Sequence, residues 1–503
     1  MSVDDGGAWD VVVVGAGVGG LVAARELALT GARVLVLDGR DAPGGAVRAH
    51  SVAGLRLDAG AESYATRGGQ VARLVDELGL ADRVVTPEPR GSWVHLTSGD
   101  GPLPRTGLLG VPSSPLAADV RRTLRLAGAL RASLDLVLPG RVGRDRETLG
   151  GLVRARMGAR ALDRLVRPVV AGVHAADPDD LAVGAVAPGL PDALRASQGR
   201  LARAVARVRA AAPAGSAVQG LDGGVATLVD ALVAEVQRLG GEVRVRSRVD
   251  AVHDEDGTVV VTLESGSTER ARRLVVAAPL PDLVAAATGA APLPALDEGA
   301  AVVLVTLVLD EPALDAAPRG TGVLVGPGVA DVRAKALTHG TAKWGWLARE
   351  AGPGRHVVRL SYGRAGERVA DLPTGDALVD QALRDASVLL GTPLTRERLA
   401  GSAVVRWTQA LPRPSAAHRE AVAAVRAAVA GTGGRVAVVG AWVAGNGLAS
   451  VVPDARAAAA TLLRPPACPL PNPPPPSSAV AREFGTCTCR SRAKVTNSAR
   501  GKA

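Results

Sequence analysis

Val11-Val12-Val13-Val14-Gly15-Ala16-Gly17-Val18-Gly19-Gly20 is the stretch that decides how this chain folds. Four consecutive β-branched apolar residues predict a buried strand, and the glycines predict a tight turn into a helix. Gly15 permits the sharp turn, Gly17 lets a pyrophosphate approach the backbone, and Gly20 lets the helix pack close to the strand. The helix then presents free N–H groups and its positive dipole end to the phosphates; Ala16, Val18 and Gly19 complete that loop. A second apolar run over residues 33–37 ends at Asp38-Gly39, where a carboxylate can accept both ribose hydroxyls. A strand before, a helix after and an acid at this distance predict a dinucleotide site rather than a glycine turn that binds nothing.

The sequence after Asp38 bears on which dinucleotide. It reads Pro43-Gly44-Gly45-Ala46 and then Leu57-Asp58-Ala59-Gly60-Ala61-Glu62-Ser63. A nicotinamide domain would continue with another helix and strand. A paired glycine, an extended strand and a second glycine turn instead suit backbone wrapped along a longer cofactor, which favours FAD.

Two further glycine-marked segments follow. One is Leu221-Asp222-Gly223-Gly224, with an amphipathic helix over residues 225–239, a strand over 242–249, a hairpin at Asp256-Gly257 and an apolar strand over 273–279. The other is a strand over 435–439, then Gly440-Ala441-Trp442, a loop and a helix from about Pro453. The expected fold class is α/β: a discontinuous Rossmann-like FAD-binding domain (8–64, 216–290 and 430–464) with an α+β substrate-binding domain (65–109 and 291–429). Residues 110–215, rich in Leu, Ala and Arg at helical spacing, are expected to form a helical subdomain.

The chain has 503 residues, 47% of them apolar but only 2% aromatic, so its core must be built from Ala, Val and Leu. Its net charge of +10 comes from arginines scattered among acids, without interleaved aromatics, which argues against nucleic-acid binding. No uncharged apolar run is long enough to span a membrane, and residues 1–10 lack the basic and apolar parts of a leader, so a cytoplasmic location is expected. Peripheral membrane contact is compatible with apolar faces in 110–215. All three cysteines (Cys468, Cys487, Cys489) and the single phenylalanine, Phe484, lie in the last 36 residues. That composition is foreign to the rest of the chain, and 465–503 is expected to be a disordered tail. No metal site is expected.

Four further motifs narrow the reading. Residues 167–187 contain Arg167-Pro168-Val169-Val170-Ala171-Gly172-Val173-His174-Ala175-Ala176-Asp177-Pro178; 335–347 contain Ala342-Lys343-Trp344-Gly345-Trp346; 357–364 read Val-Val-Arg-Leu-Ser-Tyr-Gly-Arg; and 405–418 contain Val405-Arg406-Trp407 and Ala410-Leu411-Pro412. In this order, over about residues 8–464, they resemble the oxygen-dependent protoporphyrinogen and coproporphyrinogen III oxidases of haem biosynthesis, within the amine-oxidase-like flavoproteins. The chain departs from that family at Ala46, where a cation is usual, at His174 (usually Tyr), at Ala176 (usually Gly), at 411–414 and at 449–455.

The resemblance implies an FAD-dependent oxidase taking six electrons from a porphyrinogen, with O2 reduced to H2O2 and product passing to the next haem-pathway enzyme. Coproporphyrinogen III is the favoured substrate and protoporphyrinogen IX the alternative. A carotenoid desaturase or amine oxidase on the same fold, or a flavin- or porphyrin-binding protein without turnover, are the remaining readings. By similarity Gly60, Ala61, Glu62 and Ser63 lie along the flavin, Val249 contacts adenine, and Trp407 lies at the flavin side. Gly440 turns toward the cofactor, and Ser450, Val451 and Val452 open the last helix beneath it. The substrate carboxylates need cations; Arg90, Arg167, Lys343, Arg359 and Arg364 are candidates. Trp344 is a candidate for the cavity wall, and His174 and Lys343 are candidate proton-moving groups.

Overall fold

In a computed structural model, residues 8–463 are described except 105–106, 175, 188, 212–216, 297–298, 365–366 and 412–414, and some side chains beside these gaps. The expected tail, 465–503, lies outside the described residues.

Val11, Val12 and Val13 are fully buried because strand Trp9–Val14 sits inside a seven-stranded sheet. It pairs in parallel with Val34–Leu37 on one side (Val11 opposite Val34) and with Thr268–Val276 on the other (Val11 opposite Arg273). A buried parallel strand shows continuous apolar residues rather than alternation. Glu242–Arg244 extends the sheet beyond Val34–Leu37. On the edge away from Trp9–Val14, the long strand Thr268–Val276 serves two further partners. Its first half meets the antiparallel hairpin Val249–Glu255/Thr258–Leu263, and its last three residues meet Val436–Val438 in parallel. Three separated stretches of chain thus supply one sheet.

One expected strand is broken. The run 242–249 stops at Arg244, because the backbone there turns back over the Asp38 loop: Arg246 N–H donates to Arg40 O (2.7 Å) and Ser247 N–H to Asp38 O (2.8 Å). Arg246 adopts φ +53° to make that turn.

Helices Val18–Ala28, Thr227–Arg238 and Leu448–Leu462 pack together on one face of this sheet, and their Leu, Val and Ala side chains form its largest core. The second seven-stranded sheet runs in the order Leu399–Leu411, Ala300–Asp310, Arg355–Tyr362, Ala336–His339, Gly322–Val325, Trp93–His95, Gly101–Pro102. Helix Asp376–Leu390 covers one face with Leu378, Leu383 and Leu389. The other face meets the small hairpin Ala49–Val52/Leu55–Asp58 through Trp344, Trp346 and Val357.

Helices Ala118–Ser133, Leu149–Met157, Arg167–His174 and Leu201–Ala211 share a third core. At its base Arg156 and Asp135, both fully buried, pair at 2.7 Å. Asp135 also accepts N–H bonds from Leu201 (2.9 Å) and Ala202 (2.7 Å), and Arg156 donates to the carbonyls of Asp135 and Pro139. With every polar atom partnered, the buried pair joins three helices. No helix among the described residues is long and apolar enough to cross a membrane.

Candidate functional site

The four glycines of the opening turn do different work. A Cβ on Gly20 would lie 2.0 Å from Gly15 O, and one on Gly19 would lie 2.9 Å from the Gly440 Cα. Gly15 itself has φ +107°, pressed on Ala277 and Ala278. Gly17, by contrast, faces open space: a Cβ there would meet nothing within 4 Å. It is also the N-cap of helix Val18–Ala28, and neither a side-chain cap nor an acid occupies the first turn. A helix amino terminus with exposed backbone and no anion of its own fits a phosphate-bearing cofactor.

The paired glycine closes the other side of the turn. Gly44 N–H donates to Ala16 O (2.7 Å), and a Cβ on Gly45 would reach within 3.4 Å of the Gly17 Cα. Asp38 is buried and holds the turn from below, its Oδ2 accepting Ala16 N–H (2.7 Å) and its Oδ1 Arg40 N–H (2.9 Å). Each oxygen keeps a second lone pair, so a ribose can still be bound. Gly39 packs on the Cβ of Arg248, beside Val249 at the start of its strand.

From Gly44 onward the hairpin ladder continues past its last pair. Ala59 N–H donates to Arg48 O (2.8 Å) and Ala61 N–H to Ala46 O (3.0 Å). Gly60 is squeezed between Ala46 O and the Trp407 ring, 2.1 and 3.1 Å from where its Cβ would be. Trp407 Nε1–H donates to Ala59 O (3.3 Å). Two guanidinium groups lie by the Trp407 ring: Arg48 at 5.1 Å and Arg40 at 6.0 Å from its centre. Sequence reasoning missed both arginines. Ala46 lacks the expected cation, and Arg48, the first residue after the Gly44–Val47 turn, supplies one.

Glu62 gathers the candidate cations of the second sheet. Its Oε1 lies 2.6 Å from Lys343 Nζ and its Oε2 2.8 Å from Arg359 Nη2, all three side chains less than a fifth exposed. Burial works against the charge of Glu62, but Arg359 and then Lys343 outweigh it and bring its pKa down to about 2. Arg359 Nη1 also donates to Asp58 O (3.1 Å) and Gly60 O (2.8 Å), tying the turn to strand Arg355–Tyr362. Asp58 accepts N–H bonds from Val225 and Ala226 (both 3.0 Å) and so caps the Thr227–Arg238 segment. Burial pushes its carboxyl up to about 6 against those two hydrogen bonds. A small apolar-walled cavity of about 30 Å³ lies between Glu62, Arg359, Thr306 and Trp344.

The other expected cations sit elsewhere. Arg167 is enclosed by Asp163 (3.2 Å), Asp177 and Asp179 (2.9 Å). Arg364 donates to the carbonyls of Val329, Val332 and Ala334. Arg90 is exposed beside a second cavity, lined also by His339 and His356. Of the five candidate cations, Arg167, Lys343, Arg359 and Arg364 are already partnered within the chain. Trp344 both lines the first cavity and fills core, with Gly220 pressed on its ring. His174 ends its helix, and its side chain lies outside the described residues.

The last helix also differs from expectation. It begins at Leu448 with Gly447 as N-cap, not at Ser450. The N–H groups of Ser450 (3.0 Å) and Val451 (3.2 Å) already go to Gly447 O, and Ser450 Oγ meets Arg67 (2.9 Å). Its unbonded N–H end therefore belongs to Leu448 and Ala449, while Val451 and Val452 are buried, Val451 behind Gly19. Glycines before the helix moved the start: Gly445 and Gly447, both at positive φ, release the chain earlier than Pro453 suggests.

Comparison with known proteins agrees with this geometry. The profile of the family described as flavin containing amine oxidoreductase matches residues 18–462. The chain is 31% identical over 433 residues to coproporphyrinogen III oxidase of Mycobacterium leprae, covering 82% of this chain and 90% of that one. It is 29% identical to the coproporphyrinogen III oxidase of Propionibacterium freudenreichii subsp. freudenreichii, with 89% of each covered. A crystal structure from Exiguobacterium sp. 255-15, provisionally named a protoporphyrinogen oxidase, superposes with TM-score 0.75 at 23% identity, covering 90% of this chain and 98% of that one. The open backbone at Gly17 suits a flavin cofactor, and the chain belongs to the flavin-containing amine oxidoreductase family, in the branch that holds the porphyrinogen oxidases.

Proposed function

We propose that this chain is a cytoplasmic FAD-dependent oxidase that converts coproporphyrinogen III to coproporphyrin III, removing six electrons in three rounds. Each round transfers two electrons and two protons to O2 to give H2O2. The observation that carries the reading is the open backbone at Gly17 among glycines that are otherwise crowded by neighbouring backbone. Bound FAD supplies the two-electron acceptor for hydride leaving a bridge carbon. The chain's own residues bind and orient. The first N–H groups of helix Val18–Ala28 hold the pyrophosphate, and Asp38 holds the ribose while bracing the turn. Arg359 and Lys343 fix Glu62, and Arg359, donating to the carbonyls of Asp58 and Gly60, fixes the backbone that lies along the flavin. Val249 borders the adenine end.

Arg48 is the cation we assign to a substrate propionate. Its ion-pair partner, Asp41, is 3.8 Å away and mostly exposed, and the guanidinium lies 5.1 Å from the centre of the Trp407 ring. The test is aerobic turnover of coproporphyrinogen III and protoporphyrinogen IX side by side, following porphyrin fluorescence and peroxide. Faster turnover of the four-carboxylate substrate is the expected outcome. No turnover of either by protein with FAD bound overturns the reading.

A further inference from the structure

We propose that His339 and His356 form an exchangeable binding site for a divalent cation of the zinc and copper class, outside the flavin cradle. His339 ends strand Ala336–His339, and His356 lies on the neighbouring strand Arg355–Tyr362. Their side chains meet, with His339 Nε2 3.1 Å from His356 Nδ1. Thr341 Oγ lies 3.1 Å from the same Nδ1. These three side chains line the second cavity, of about 160 Å³, together with Asp315, Arg90 and Arg355. No local motif marks the pair, whose members stand 17 positions apart.

The hydrogen bonds set where the protons are. His356 Nε2 lies 3.1 Å from Asp315 Oδ1, and an ionised carboxylate only accepts, so His356 donates from Nε2 and presents a lone pair at Nδ1. A carboxylate behind the ring is the partner that orients metal-binding histidines and raises their basicity. Burial, then His356 and Arg90, bring the pKa of His339 down to about 3, and burial lowers that of His356. Both rings are therefore neutral, the form that takes a metal.

The spacing suits one cation. Two imidazole nitrogens each about 2.0–2.1 Å from a tetrahedral zinc stand about 3.4 Å apart. The present pair needs to part only slightly for a cation to replace the hydrogen between them. That hydrogen moves to His339 Nδ1, which is buried and has no other partner. Among the described residues no third His, Cys or carboxylate completes a ligand set here, so cavity water fills the remaining positions. A shell open in this way exchanges its metal, unlike the closed four-ligand shell of a structural site. Asp315 and Glu311 act on His356 with the sign that favours a cation, while Arg90 opposes it at His339. Arg355 is held by Asp310 at 2.7 and 3.1 Å.

The turn Gly340–Lys343 links this cavity to the cofactor side. Thr341 faces the histidines, and Lys343 Nζ lies 2.6 Å from Glu62. A cation on His339 therefore restrains the segment that fixes Glu62.

The test uses untagged full-length protein with FAD bound, carrying Cys468→Ser, Cys487→Ser and Cys489→Ser so that thiols do not compete. Zn2+, Cu2+ and Mg2+ are each titrated by equilibrium dialysis with metal analysis. We expect about one equivalent of Cu2+ and of Zn2+, Cu2+ the tighter, and no Mg2+. The electron paramagnetic resonance spectrum of bound Cu2+ should show coupling to two nitrogens. His356→Gln should abolish that coupling. Asp315→Asn, at a mostly exposed side chain, should weaken binding by about tenfold or more with the melting temperature kept. No binding of Cu2+ or Zn2+ overturns the proposal. Binding that Asp315→Asn leaves unchanged also overturns it, since the metal then sits on another histidine. None of these readouts depends on turnover, so they stand apart from the assigned reaction.

Discussion

Arg48 and Glu62 flank the same hairpin and divide the work of charge between them. Glu62 neutralises the two cations that sequence spacing offered to a substrate, while Arg48 keeps its charge available above Trp407. Arg48→Gln should therefore raise KM by about tenfold with a much smaller change in kcat, since one charge-assisted contact is lost and the flavin-side backbone is untouched. Steady-state kinetics over a range of substrate concentrations checks this; equal losses in kcat and kcat/KM would place Arg48 in the reacting geometry instead. Asp58 gives a second prediction. Its folded pKa of about 6 lies above the ordinary aspartate value, so the folded state binds the proton more tightly than the unfolded one. Stability therefore rises as pH falls from about 6 toward 4, the reverse of the usual carboxylate. Glu62 acts oppositely: its folded pKa of about 2 gives stability that is present above the ordinary glutamate range and lost progressively as pH falls from that range to about 2. Asp58→Asn keeps one oxygen for the capping N–H groups and should flatten the slope between pH 6 and 4 by about one proton in urea melts. An unchanged slope would show that another group titrates in that window.

At the scale of elements, crowding distinguishes glycines that the sequence presents as equivalent. Gly20→Ala places a methyl 2.0 Å from Gly15 O and should unfold the first βα unit. Gly17→Ala places a methyl in open space at an ordinary φ of −68°, so the apoprotein should melt within about 0.5 kcal/mol of wild type. The same methyl stands where a pyrophosphate must approach, so FAD affinity should fall by about tenfold or more. Flavin retention after dialysis, set beside apoprotein melting, separates the two effects; a destabilised apoprotein would show that Gly17 serves packing. This βα unit was legible in sequence because every cue is local: the Val run, the glycine spacing and Asp38. The start of the last helix was not, since Gly445 and Gly447 could be read as loop until their φ values were known. The partners of Lys343 and Arg359 were not legible either. Glu62 lies 281 residues from Lys343, and no local pattern reports that they meet.

At the scale of the whole molecule, the cofactor site is where distant stretches of chain converge. Gly17 and Gly45 come from the first stretch, Asp58 is capped onto the second, and Gly440 touches Gly19 from the third. Arg359 then ties the same turn to the second sheet. A ligand that bridges such a junction stabilises the folded state as a whole. At a free concentration one hundred times its dissociation constant it contributes about 2.7 kcal/mol. Removing FAD should lower the melting temperature of the body by a few degrees and leave the transition single, because the sheets and helices around the cradle are joined by protein contacts as well. The helical part is different. Its core of Leu124, Leu149, Leu162 and Leu201, locked by Asp135 and Arg156, makes no use of the glycine cradle. Hydrogen exchange of the apoprotein should therefore lose protection first around residues 15–20, 44–63 and 440–450, with helix Leu149–Met157 still protected. If FAD removal instead releases Leu149–Met157 at the same rate as the cradle, the two cores unfold as one unit, and the separation inferred from their packing is wrong.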